Sequence, residues 1–146
     1  MAGGGNYVLS KGYPVLKTYN SSAVAGVTAF RAVKFSVSGS KSYIDLAVAH
    51  ATGGIGVVQE NIDAVKVAYG NAVADVALSG ITKMYANGTP GSIVLGSKIA
   101  AGTAGGAILA VTSDLIIGIC VGMSVPGGTV AAGDLIDVLL TPGGVA

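Results

Sequence analysis

The strongest constraint on the fold is an almost uncharged stretch, residues 105–128, which reads GGAILAVTSDLIIGICVGMSVPGG. Its single charge is on Asp114. A helix that spans a membrane needs about 20 largely apolar residues, whereas Ser124 and Pro126 interrupt this run, and Asp114 inside a bilayer would cost about 2.5–3.5 kcal/mol. We therefore expect no membrane span, and we predict two buried strands, AILAVTS and LIIGICV, joined near Asp114.

The rest of the chain also has the pattern of β structure. In VTAFRAVKFSV, alternation places Val33, Phe35 and Val37 on the better-buried face, and SYIDLAVAHATGG continues the alternation up to a glycine turn. The runs IGVVQE, AVKVAY, ADVALS and ITKMYA follow as short predicted strands, and DLIDVLL is the predicted closing strand. Turn residues at spacings of about eight to twelve positions are typical of a sandwich or barrel. Glycines limit helix to one short turn, in SSAVAGVTAFRAV or SKIAAGTAGGAIL. We predict an all-β fold, a compact β-sandwich or barrel-like domain of short strands.

The first twenty residues differ in kind from the remainder. Three successive glycines precede a segment rich in apolar and aromatic side chains, which is too apolar for a free tail. We predict that residues 1–20 form an extended N-terminal arm and residues 21–146 a single β-rich domain. An alternative is that this segment is the first strand of the domain's own sheet. The arm residues expected to contact a neighbouring chain are Tyr7, Val8, Leu9, Tyr13, Pro14, Val15, Leu16 and Tyr19.

Charged side chains are sparse. Eight Lys and Arg and seven Asp and Glu give fifteen charges in 146 residues, while a folded monomer of this size exposes roughly 6,700 Å². This density is low for a free monomer, so we predict a homo-oligomer, most simply a trimer. The balanced charge gives no basic field for a nucleic-acid partner. The opening residues lack the pattern of a signal peptide, so we expect the protein to be made in the cytoplasm and used without export.

No constellation of residues predicts a reaction. His50 is the single histidine, and Asp45 lies on the opposite face of its predicted strand, so a Ser/His/Asp arrangement is not supported. The carboxylates are scattered and lack the spacing of a metal loop. Cys120 is the single cysteine and lies in an apolar run, which indicates a buried, inert thiol. We therefore expect no enzyme activity, cofactor, metal or small-molecule substrate.

Four segments resemble the capsid cement, or head decoration, proteins of tailed bacteriophages. They are a Gly-Val strand at residues 56–58, a G-N/D-x-V-x-V strand at 70–76, a segment of small residues at 96–106, and a closing A-G-D-x-I-x-V-x-L strand at 132–140. The resemblance covers roughly residues 54–142. The N-terminal third departs from it, because KGYPVLKTYNSSAVAGVTAF is longer than the start of many cement proteins.

The resemblance implies a structural virion protein on the outer surface of a phage capsid. Its partner would be the shell of the major capsid protein, to which it would bind as a trimer and clamp neighbouring subunits together. Another self-assembling β-rich virion component, such as a tail-tube, fibre or shell protein, would share the low charge and the β pattern, and it remains the alternative.

Overall fold

The computed structural model describes residues 8–19, 26–47, 56–87, 90, 92–123 and 130–145. Within them the chain is mostly β-strand, with one short helix and one 3-10 turn, which confirms the all-β prediction. The elements are β1 (Leu9–Pro14), β2 (Ala32–Ser38), β3 (Lys41–Leu46), β4 (Gly56–Val58), α1 (Ala64–Tyr69), β5 (Val73–Tyr85), β6 (Lys98–Ala101), the 3-10 turn (Thr103–Gly105), β7 (Ala107–Leu109), β8 (Leu115–Met123) and β9 (Leu135–Val145).

All nine strands belong to one antiparallel sheet with β5 at its centre. The strand order is β3-β2-β4-β5-β9-β8-β6-β7, and β1 also pairs with β5. The first part of β5 pairs with β1 and β4, and its last six residues pair with β9. The predicted strands ADVALS and ITKMYA are thus one continuous strand, with Gly80 between them at a φ of 90°.

The sheet curls back on itself on both sides of β5. A parallel bridge between Val15 and Ile44 joins the end of β1 to β3, and a second one between Ala86 and Ala107 joins the end of β5 to β7. We call the part formed by β1–β4 with the start of β5 the N-terminal half, and the part formed by the end of β5 with β6–β9 the C-terminal half. The curled sheet encloses one interior within the N-terminal half and a larger one that extends from the C-terminal half to β2 and β4.

Two clusters of small and β-branched side chains fill these interiors. Val33, Ile44 and Val76 are fully buried in the N-terminal cluster, and Ile99 and Ile117 are fully buried in the larger cluster, which lies mainly in the C-terminal half and also includes small residues of β2, β4 and the start of β5. Small residues allow the strands of such narrow interiors to approach closely. This core accounts for a composition that is half apolar but only 5% aromatic.

The run 105–128 divides as the sequence predicts over its described residues. AILAVTS supplies β7, LIIGICV lies in β8, and the two strands are separated by a turn at residues 111–114. Cys120 is fully buried in β8. In the part of the chain that the structure describes, no helix has the length and apolar character needed to cross a membrane.

One predicted strand is wrong, because AVKVAY forms the helix α1. The Asp63 side chain accepts a hydrogen bond from the N–H of Val65 at 3.3 Å and caps the start of the helix. Gly70 ends it in the left-handed conformation with a φ of 80°. Because these end caps bracket six residues and Val67 alone is buried, they decide the structure against the alternation of valines.

Three strands begin after the same tight turn. In each turn, the side chain of the fourth residue accepts a hydrogen bond from the backbone N–H of the first residue at 2.9 Å. The backbone N–H of the fourth residue donates a hydrogen bond to the carbonyl oxygen of the first. The third residue has a positive φ in every case, at Gly96, Ser113 and Gly133. The turns are residues 94–97, 111–114 and 131–134, and their fourth residues are Ser97, Asp114 and Asp134. This repeated turn sets the start of β6, β8 and β9.

Candidate interaction surfaces

The N-terminal segment pairs within the chain's own sheet over its described residues. Leu9–Pro14 forms β1 and pairs antiparallel with β5. Val15 is 1% exposed and Tyr19 is 4% exposed, and both belong to the N-terminal cluster. This placement corresponds to the alternative that the sequence left open. It corrects the choice of Val15 and Tyr19 as partner contacts, because their side chains have no accessible surface to offer.

The other predicted contact residues that the structure describes have surface to offer a partner. Leu9 and Pro14 are exposed, whereas Val8, Tyr13 and Leu16 are half-buried. Tyr7 lies outside the described residues. Contact of this group with another chain therefore stays a prediction for its five described members.

The hydroxyl of Tyr19 is a buried polar group without a hydrogen-bond partner. Burial, and to a smaller extent the carboxylate of Asp45, raise the pKa of Tyr19 well above its usual range. Because its phenol stays neutral and buried, Tyr19 packs as a member of the core.

The β2–β3 hairpin carries its apolar face out beyond the core. Val33 is fully buried, but Phe35 and Val37, which share its face, are 51% and 70% exposed. The prediction that all three form the better-buried face is therefore wrong for Phe35 and Val37. Phe35 pairs with Ile44, where the N-terminal half closes, and Val37 lies one step further out.

Tyr13 and Lys11 border this exposed face, and a further lysine lies at the tip of the hairpin on its opposite face. The Tyr13 ring packs edge-on against Phe35 with 5.5 Å between ring centroids, and the Lys11 Nζ lies 5.4 Å from the centroid of the Tyr13 ring. Lys41 is exposed at the tip of the hairpin, paired with Ser38. We call this set the hairpin surface; its members are Lys11, Tyr13, Phe35, Val37 and Lys41.

A groove of about 580 Å³ lies between α1 and the start of β5. Two exposed apolar side chains line the groove, Tyr69 at 76% and Val73 at 59% exposure. The carboxylates of Glu60 and Asp63 line it as well. Asp75 is exposed on the same face of β5 as Val73. We call this set the groove surface; its members are Glu60, Asp63, Tyr69, Val73 and Asp75.

The C-terminal half has separate exposed aliphatic residues, which are Val94, Leu95, Val111, Val121 and Leu139. Leu139 lies in a cross-strand row with Ile81 and Ile119. Beside this row, the Lys83 Nζ donates to the Asp137 carboxylate at 2.9 Å in an exposed ion pair. This is the one salt bridge within the described ranges, and an exposed pair of this kind stabilises by at most about 1 kcal/mol.

Reactive side chains are dispersed. Among the described residues, no three His, Cys, Asp or Glu side chains come together as they would around a metal ion. Asp114 and Asp134 accept backbone hydrogen bonds in the repeated turns. Burial raises the pKa of the Cys120 thiol, which disfavours the reactive thiolate. His50 lies outside the described residues. The described surface has exposed apolar faces with charged side chains beside them.

The chain is thus an all-β protein built on a single curled antiparallel sheet, with exposed apolar surfaces at several points. Its fold is similar to that in the crystal structure of the N base of the head fiber gp8.5 in bacteriophage phi29, with a TM-score of 0.60 and 17% sequence identity. The match covers 92% of this chain and 95% of the phi29 chain, so the likeness is one of the whole fold. No protein-family model and no curated protein sequence matches the chain.

Sequence reasoning missed both the hairpin surface and the groove surface. The exposure of Phe35 and Val37 has no local signal, because alternation identifies a shared face but not how far the core extends along it. The groove depends on α1, which was predicted as a strand. Its signal was present, since Asp63 and Gly70 bracket the run as helix caps.

Proposed function

We propose that the protein is a structural component of a phage virion that binds the outer surface of the capsid as a homotrimer and stabilises contacts between shell subunits. Its partner would be the shell formed by the major capsid protein. The observation that carries this proposal is the likeness in fold, over nearly the full length of both chains, to the base of a fiber on a phage head.

The surface of the chain supports a covering role. Only 10% of the residues are charged, and large apolar side chains are exposed in both halves of the sheet. Exposed apolar area with polar rims is typical of surfaces that contact other proteins. Leu9 and Pro14, with the half-buried Val8, Tyr13 and Leu16, are the proposed shell contacts from the N-terminal segment.

Such a protein would act through mass action. A protein that binds only the expanded form of the capsid shell lowers the free energy of that form, by about 2.7 kcal/mol per binding site at a free protein concentration 100 times the Kd. Many copies add these contributions over the shell.

The test is to add the purified protein to empty cognate shells that lack it. We expect the protein to sediment with the shells and to raise the temperature at which they come apart, in proportion to the copies bound. Shells that sediment without the protein, or that bind it with no gain in stability, would contradict the proposal.

A matched pair of variants tests the shell contacts. Leu9→Ser alters a proposed contact that is 64% exposed, and Leu95→Ser makes the same change at a residue of the C-terminal half that is 57% exposed. Both variants should fold, because both side chains are largely in solvent. We expect shell binding to weaken for Leu9→Ser and to stay unchanged for Leu95→Ser; equal binding by the two would exclude Leu9 from the contact.

A second candidate function is the base of a head fiber, which the identity of the similar structure favours. Electron microscopy of decorated shells separates the two roles. A cement protein gives density lying flat over the contacts between shell subunits, whereas a fiber base carries density that projects from the shell.

A further inference from the structure

The hairpin surface and the groove surface have complementary shapes. The hairpin projects from the N-terminal half with Phe35 and Val37 uncovered, while the groove is a concavity edged by Tyr69 and Val73. A projecting apolar strand pair and an apolar-rimmed groove can bury each other's exposed area, which is the main source of association free energy.

Their charges are complementary as well. The hairpin surface contributes two exposed lysines, Lys11 and Lys41, and no carboxylate. The groove surface contributes the carboxylates of Glu60, Asp63 and Asp75, against the single lysine Lys66 on the groove wall. None of these groups takes part in an ion pair within the described residues, where Lys83 and Asp137 form the one salt bridge. Opposite charges on two apolar surfaces favour their contact and set its orientation.

The tip of the hairpin and α1 lie at opposite ends of the N-terminal half, whereas Lys11 and Asp75 lie one register step apart on the paired strands β1 and β5. Strand β4 is antiparallel to both β2 and β5, so β2 and β5 run in the same direction. The hairpin tip follows the end of β2, whereas α1 precedes the start of β5. The hairpin of one molecule therefore cannot reach the groove of the same molecule.

We propose that the hairpin surface of one copy docks into the groove surface of the next copy. The contact is head to tail, so it joins two different patches of the molecule. Repeated contacts of this kind form a closed ring when the rotation from one copy to the next divides a full turn into a whole number of steps. This proposal rests on the proposed homo-oligomer, and it makes no use of the capsid shell.

In this contact, Phe35 and Val37 pack against Tyr69 and Val73, and the lysines face Glu60 and Asp75. Aromatic side chains suit the centre of such a contact, because they bury a large area with few rotamers to fix. Asp63 contributes charge from the groove wall while it caps α1. The exposure of Phe35 and Val37 in the single chain is then explained by burial between copies.

A charge swap tests the contact in solution, with no shell present. One variant, K11E/K41E, reverses the hairpin charges, and the other, E60K/D75K, reverses the groove charges; Asp63 stays unchanged because it caps the helix. The association of each protein is measured by sedimentation velocity over a range of concentrations. We expect each variant alone to associate about tenfold more weakly than the original chain, or weaker still.

An equimolar mixture of the two variants gives the decisive result. In a head-to-tail contact, each hairpin of one variant meets a groove of opposite charge on the other, so the mixture should regain the association of the original chain. Association by either variant alone at the original strength, or a mixture that remains dissociated, would overturn the proposal. A chain that is monomeric at every concentration would overturn it too.

Matched controls locate the contact. K98E reverses an exposed lysine of the C-terminal half and should associate normally. Val37→Ser should weaken association, whereas Val94→Ser, at a residue 57% exposed in the other half, should not. If K98E and Val94→Ser weaken association as much as the hairpin variants, the contact lies elsewhere. Shell binding is measured separately. If the chain associates with itself as expected but does not bind shells, the contact between copies is supported and the proposed function is contradicted.

Discussion

Replacing Val15 by Ala tests whether the N-terminal segment belongs to the fold or to an interface. Val15 is 1% exposed and closes the N-terminal half through its bridge to Ile44. The change removes two buried methyl groups at about 0.8 kcal/mol each, and the cavity left behind adds to this loss. We expect the free energy of unfolding to fall by about 2–3 kcal/mol, with a decrease in Tm of roughly 6–10 °C.

Leu9→Ala is the matched control on the same strand. Leu9 is 64% exposed, so its truncation should change the free energy of unfolding by no more than about 0.5 kcal/mol. Urea denaturation followed by circular dichroism measures both variants. Removal of residues 1–19 should go further, because losing Val15 and Tyr19 together costs about 5–8 kcal/mol, which is comparable with the whole stability of a typical domain.

The opposite pattern would refute this reasoning. If Val15→Ala leaves the unfolding curve unchanged and weakens self-association or shell binding, then the segment serves a neighbouring chain as an arm. A truncated protein that keeps its melting temperature would lead to the same conclusion.

Three further predictions follow from local geometry. Gly118→Ala should lower the free energy of unfolding by about 1–3 kcal/mol in urea denaturation, because its Cβ would meet the carbonyl oxygen of Leu139 and, at 2.5 Å, the Cγ1 of Val138; an unchanged midpoint would show that β8 and β9 can separate at no cost. In the repeated turns, Ser113→Gly should stabilise by up to about 1 kcal/mol and Gly133→Ala should destabilise by about 1 kcal/mol, since both positions have a φ above 70°; calorimetry checks the two signs, and equal signs would contradict the account. Tyr19→Phe removes the buried hydroxyl without a partner and should stabilise by about 1 kcal/mol. The pKa of Tyr19 is raised in the folded state, so the stability that its neutral phenol gives the folded protein is fully present below about pH 10 and is lost as the pH rises further. The free energy of unfolding of the original chain should therefore fall more steeply in alkaline solution than that of Tyr19→Phe. Parallel pH profiles of the two proteins would argue against a buried phenol.

The sequence alone was enough to predict the strands for which the apolar pattern and the flanking turns point to the same boundaries. Residues of β7, β8 and β9 are apolar on both faces, and the turns at Asp114 and Asp134 mark where two of these strands begin. Local signals of this kind predict β structure because they depend on neighbours within a few positions. The common form of the three turns was still missed, since Ser97 performs with a hydroxyl the role that the other two turns give to a carboxylate.

The features that escaped prediction depend on distant parts of the chain. In α1, alternating valines suggested a strand, and the caps at Asp63 and Gly70 outweigh that pattern. The exposure of Phe35 depends on where β1 meets β3, which no local pattern encodes. For the same reason, sequence reasoning placed Val15 and Tyr19 in an interface: an apolar segment predicts burial, but not the chain that provides it.

The shared strand β5 has a consequence for the order of folding during synthesis. Its partners β1 and β4 precede it along the chain, so the N-terminal half can form once residue 85 has been made, whereas β9 begins fifty residues later, at Leu135. Until β9 arrives, the last six residues of β5 present unpaired backbone groups as a free edge. A nascent chain at this stage is open to pairing with another chain. Lys83, near the middle of that edge, places a charge there, which is a common protection of free edges, and its later ion pair with Asp137 marks the arrival of the missing strand.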